Sequence, residues 1–112
     1  MARTLKQRFA FGDVAATMTA AGTTTSTAAT LTADHVIVTT VTSSADGVII
    51  REIAEGTLGS VANADSVETL KVYPPSGSKF NGKTADLSFS VPTGKAMLYI
   101  KIDATNYIAI GN

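Results

Sequence analysis

Leu70-Lys71-Val72-Tyr73-Pro74-Pro75-Ser76-Gly77-Ser78-Lys79-Phe80-Asn81-Gly82 reads as a strand that runs out at a proline pair and returns through a turn. Proline has no backbone N–H to give a sheet, and it drives the residue before it into extended geometry. Tyr73 is therefore the expected last laddered residue, with Pro74 and Pro75 carrying the chain off the sheet. Gly77 and the Asn81-Gly82 pair suit the positive φ that tight turns demand. Leu70 and Val72 share one side of this strand and are expected to face a core.

Outward from this stretch the pattern repeats. His35 to Thr42 (HVIVTTVT) is dense in β-branched residues, which favour strands. Asp46-Gly47 follows and is a strong hairpin signal, with Gly47 to Ile53 as the returning strand. Thr57 to Ala62 suits a short strand, and Asn63-Ala64-Asp65-Ser66 suits a turn. Thr84 to Val91 alternates with Leu87, Phe89 and Val91 on one face. Lys95 to Asp103 alternates Ala96, Leu98, Ile100 and Ile102 against Met97, Tyr99, Lys101 and Asp103. Tyr107 to Ile110 closes the chain. Leu87, Phe89, Leu98 and Ile100 are the expected core residues of this half. Short strands with a turn signal every eight to twelve residues predict an all-β fold, a small antiparallel β-sandwich or jelly-roll-like barrel. Any helix would have to lie within residues 10–21.

The first third has a different character. Fifteen of residues 14–33 are Ala or Thr, so little apolar surface is available per residue. This segment is expected to be an extended arm or connecting segment, with a short strand around Ala28 to Leu31. The expected organisation is an N-terminal arm over residues 1–33 and a β-domain over 34–112. Ahead of the Ala/Thr tract, residues 1–12 (MARTLKQRFAFG) place Arg3, Lys6 and Arg8 among Leu5, Phe9 and Phe11. Phe residues on a free tail are a liability in water, which favours docking against a partner.

With 112 residues the chain has the length of one domain, and it contains no cysteine. Disulfides, thiolate catalysis and Cys-ligated metal are thereby excluded. Nine basic residues balance nine acidic ones, which argues against a nucleic-acid binder and permits close self-association. No apolar run approaches a membrane span. The residues after the N-terminal basic group lack the apolar region of a signal peptide, so cytoplasmic synthesis is expected. His35 is the sole histidine, so no Ser-His-Asp triad has a spare base and no histidine cluster exists. The acidic residues fall mostly in turns and at strand ends. Asp65 and Glu68 lie near a turn and offer oxygen ligands of the kind calcium takes, but no EF-hand spacing surrounds them. Catalytic residues, cofactor and metal are all expected to be absent.

The Val-Tyr-Pro-Pro-Ser-Gly run, with Asn81-Gly82, Ser90-Val91-Pro92-Thr93-Gly94-Lys95 and Ile102-Asp103-Ala104-Thr105-Asn106-Tyr107-Ile108-Ala109 after it, resembles small structural proteins of tailed bacteriophages. The resemblance spans roughly residues 34–110, and Tyr107 stands where that pattern has tryptophan. It implies a non-enzymatic virion protein of the capsid decoration, or cement, type. The implied partners are the major capsid protein and further copies of the chain, as a homotrimer, without nucleic acid or membrane. Arg3, Leu5, Lys6, Arg8, Phe9 and Phe11 are the residues that would bind the capsid. An alternative implied role is a tail, collar or fibre module that binds a host glycan through the tyrosines and the Pro-Pro loop.

Overall fold

The computed structural model describes residues 14–111. These form an all-β body in which ten strands make two sheets. The strands are β1 (Val14–Thr19), β2 (Ala29–Thr30), β3 (His35–Thr40), β4 (Gly47–Ile49), β5 (Leu58–Asn63), β6 (Leu70–Tyr73), β7 (Lys79–Phe80), β8 (Phe89–Val91), β9 (Ala96–Lys101) and β10 (Asn106–Gly111). One sheet has the order β1-β3-β5-β9-β10-β7; the other has the order β2-β4-β6-β8.

The expected antiparallel arrangement does not hold. Five of the eight strand pairings are parallel: β1 with β3, β3 with β5, β2 with β4, β4 with β6, and β7 with β10. The first six strands alternate between the sheets, giving three stacked, solenoid-like turns. The reason lies in the connections. Parallel neighbours need a crossover of about a dozen residues or more, and each crossover here carries a strand of the other sheet. The Asp46-Gly47 signal thus marks a turn, with the Asp46 N–H donating to the Ser43 carbonyl at 2.9 Å, but not a hairpin. It moves the chain from β3 in one sheet to β4 in the other. Antiparallel pairing enters with the last strands, where β9 joins both β5 and β10, and β8 joins β6.

The Ala/Thr-rich segment is part of this body from Val14 onward, which corrects the expected arm boundary at residue 33. Beyond β1 and β2, the side chains of Ala20, Ala28, Leu31 and Ala33 are buried. Small residues serve here because the turns stack closely, so Ala contributes contact without demanding width. The Thr23–Thr27 turn is held by its own hydroxyls. Thr27 Oγ1 accepts from the Thr23 and Thr24 N–H groups at 3.2 and 3.1 Å.

One core lies between the sheets. Val36, Val38, Val61, Met97, Tyr99 and Tyr107 supply it from one side; Val48, Leu70, Val72 and Val91 from the other. Leu70 and Val72 face the core as expected, but β9 turns the other way from the expected phase. Met97 and Tyr99 are fully buried, while Leu98 is 42% exposed. Ile100 is only partly buried and Phe89 packs against the core edge. Leu87, 47% exposed, precedes the short strand β8. Tyr99 wins the interior because it sits across from Gly59, its register partner in β5. A Cβ at Gly59 would stand 2.2 Å from the Tyr99 ring, so the missing side chain is the space that the ring fills. The buried phenol is also satisfied, donating to the Asp34 carbonyl at 3.2 Å.

A polar clamp ties the sheets together at the end of β5. The Asn63 side chain, 1% exposed, donates to the carbonyls of Glu68 and Val91 at 2.8 and 3.0 Å and accepts from the Asp65 N–H at 3.0 Å. All its partners lie in the connection to β6 or in β8, so the amide fixes one sheet's height against the other.

Three stability outcomes follow from these placements. Leu70→Ala is expected to lose about 2–5 kcal/mol, and Leu87→Ala about 1 kcal/mol or less, both measured by urea denaturation. Deleting residues 1–33 removes β1, β2 and the buried side chains of Ala20, Ala28, Leu31 and Ala33. That variant is expected to lack the cooperative thermal transition of the full chain in circular dichroism.

Candidate interaction surface

Side chains alternate across a strand, so the phase of β9 determines what its sheet shows on the outside. With Tyr99 inward, Leu98 and Ile100 point out. In β10, Ala109 pairs with Tyr99, and Ile108 and Ile110 pair with Ile100 and Leu98. Tyr107 and Ala109 are buried, whereas Ile108 and Ile110 are 40% and 53% exposed. In β3, Val36 and Val38 are buried and Ile37 is 44% exposed.

The outward residues fall into cross-strand rows. Leu58, Ile100 and Ile108 make one row; Val14, His35, Ser60, Leu98 and Ile110 make the next; Ile37, Ala62 and Ala96 make the third. Along the β1 side the rows border an open groove of about 290 Å³ lined by Val14, His35, Ile37, Ser60, Ala62 and Ala96 with Val36 and Val61. Within the second row His35 Nδ1 lies 2.7 Å from Ser60 Oγ. None of the outward residues named from β3, β5, β9 and β10 is Asp, Glu, Lys or Arg. The outward face is thus mostly apolar, with Lys79 of β7 at its edge.

The proline-pair stretch is structural. The strand ends at Tyr73 as expected. Pro74 is fully buried, and its carbonyl accepts from Thr25 Oγ1 at 3.1 Å. The Tyr73 hydroxyl donates to the Thr23 carbonyl at 2.7 Å. The Thr-rich turn thus lies over the Tyr-Pro-Pro corner. Gly77, Asn81 and Gly82 take positive φ (83°, 54° and 70°), and the Asn81 side chain continues the β7–β10 pairing by bonding both ways with the Ala109 backbone. Tyr73, Tyr99 and Tyr107 are 8%, 0% and 1% exposed. The tyrosine rings are therefore not presented for stacking on a sugar, while Ser76 and Gly77 of the loop are exposed.

Several titratable groups also serve the fold. The Asp65 carboxylate is engaged with backbone N–H groups of its own turn and of β3's exit. It accepts from the N–H groups of Val41, Val67 and Glu68, and the Glu68 and Val67 bonds foremost hold its pKa below the ordinary carboxylate value. Arg51 pairs with Asp34 at 3.0 Å. Lys101 pairs with Glu52 at 2.6 Å, and its ammonium lies 5.9 Å from the centre of the Tyr107 ring. Among the described residues no three His, Cys, Asp or Glu side chains converge as a metal site, and no helix is long and apolar enough to cross a membrane. Arg3, Leu5, Lys6, Arg8, Phe9 and Phe11 lie outside the described residues. No model of a known protein family, no curated protein and no solved structure matches this chain.

The Tyr99 and Tyr107 phenols give a pH outcome. Burial, foremost, raises both pKa values far above the usual tyrosine value of about 10. The unfolded chain loses these protons first, so stability is complete below pH 10 and falls as pH rises above it. Ultraviolet titration is expected to show Tyr99 and Tyr107 resisting ionisation until the protein unfolds. Ionisation of Tyr99 and Tyr107 near pH 10 in folded protein would contradict their buried placement.

Proposed function

We propose that this chain is a non-enzymatic structural protein of a tailed-phage virion, of the capsid decoration type, acting by contact with the major capsid protein on the head surface. The observation that carries the proposal is the exposed apolar sheet face on a body in which Asp65 and Asp103 are engaged in turns and Arg51 and Lys101 in ion pairs. The proline-pair stretch, with its Asn-Gly turn, supplies the phage resemblance. We read the body as a short solenoid closed by antiparallel strands, in place of an antiparallel sandwich or jelly roll.

The mechanism is adhesion. Basic and aromatic residues of the N-terminal segment (Arg3, Leu5, Lys6, Arg8, Phe9 and Phe11) meet the capsid while the β-body stands on the surface. A ligand that binds the closed shell and not its dissociated subunits stabilises the shell by mass action. Many weak contacts on one particle add through effective concentration.

The test is co-sedimentation with undecorated phage heads. Saturable binding at a fixed ratio to the major capsid protein is expected, together with loss of at least tenfold in affinity when Arg3, Lys6 and Arg8 become Ser and Phe9 and Phe11 become Ala. Absence of binding by the full chain would overturn the capsid reading. Undiminished binding by the substituted chain would overturn the role of the segment.

A further inference from the structure

We infer that the outward face of the six-stranded sheet is a self-association surface, on which a second copy of this chain sits face to face about a two-fold axis. This goes beyond the capsid reading: it gives the apolar face to a second copy and leaves capsid contact to the N-terminal segment.

The first argument is area. Leu98, Ile108, Ile110, Ile37 and Val14 are 40–77% exposed, and they lie in adjoining rows rather than scattered. Together they leave on the order of 500 Å² of apolar surface in water, close to the apolar share of one side of a standard-size interface. A contiguous patch of this size on one chain commonly marks an interaction site.

The second argument is charge. When a surface meets its own copy across a two-fold axis, each group near the axis faces its own kind. A charged residue there would meet a like charge. The outward residues of β3, β5, β9 and β10 contain none, and their one imidazole is already engaged with Ser60. The chain as a whole has nine basic and nine acidic residues, so no net repulsion opposes the approach of two copies. Lys79, on the edge strand β7, is the one charged residue in the outward phase of the paired strands described, so a strongly acidic or basic partner would find little complementary charge on this face, whereas a second copy finds a largely neutral one. Shape agrees, since two sheet faces pack with their side chains interleaved about 10 Å apart.

Because a self-complementary face closes on itself, the expected assembly is a pair and not the trimer implied by the phage resemblance. Light scattering of the full chain at micromolar concentration is expected to give twice 11.5 kDa. Leu98→Glu with Ile108→Glu is expected to give a single chain mass with unchanged circular dichroism. Should that variant fail to fold, cysteine mapping provides an independent readout, since the chain has no cysteine. Leu98→Cys is expected to yield a cross-linked pair with a short bismaleimide, and Leu87→Cys, off this face, none. A monomer or a trimer for the full chain overturns the inference. So does a pair that survives the double substitution, or a pair that Leu98→Cys fails to cross-link. A monomer that binds a hydrophobic dye only after removal of residues 1–11 would overturn it in favour of the N-terminal segment as the occupant of the face. The head-binding assay reads a different event, so loss of either result leaves the other standing.

Discussion

The seating of the Tyr99 ring against Gly59 is the constraint from which most of this structure follows. A tyrosine is too large to enter a packed core unless a neighbour yields room and its hydroxyl finds a partner. Gly59 yields the room from the adjacent strand, and the Asp34 carbonyl takes the hydroxyl proton. Once Tyr99 is inside, strand alternation leaves no freedom. Met97 goes in with it, Leu98 goes out, and the register with β10 sends Tyr107 and Ala109 in and Ile108 and Ile110 out. A slip of one residue would reverse every one of these positions. The same contact that completes the core therefore creates the apolar exterior.

The core and the exterior thus compete for the same residue types. The interior is filled by three stacked parallel turns whose connections cross between sheets, by small residues at the N-terminal end and by two tyrosines at the other. The buried Asn63 amide holds the sheets at one height, since a shift would leave it and the Glu68 and Val91 carbonyls without partners in a region closed to water. Aliphatic residues left over on β9 and β10 face outward. On a freely dissolved chain that arrangement costs solubility, which is the physical reason to regard the face as one that meets another surface.

Function, on this reading, resides in surfaces rather than in a cleft. Carboxylates such as Asp65 and Asp103 accept backbone N–H groups in turns. The basic groups Arg51 and Lys101 are tied to carboxylates, and the tyrosines support packing.

The sequence by itself determined the all-β character, because β-branched runs separated by Gly, Pro and Asn turns leave no helical period. It also determined the end of β6 at Tyr73, since the proline after it cannot donate to a ladder, and the inward side of Leu70 and Val72, where only one face of the strand is apolar. Only the tertiary structure decided the phase of β9. Both of its faces are apolar by composition, so alternation could not choose between Leu98 and Tyr99; the choice came from Gly59, forty residues away in sequence. Likewise Asp46-Gly47 specifies a turn but not whether the strands it joins pair with each other. Pairing is settled by long-range competition for partners, in which β1 and β5 took the edges of β3, and β2 and β6 those of β4. The Ala/Thr tract was legible as extended chain but not as core, because the burial of small residues depends on how closely neighbouring turns stack, and that distance is not written in the tract itself.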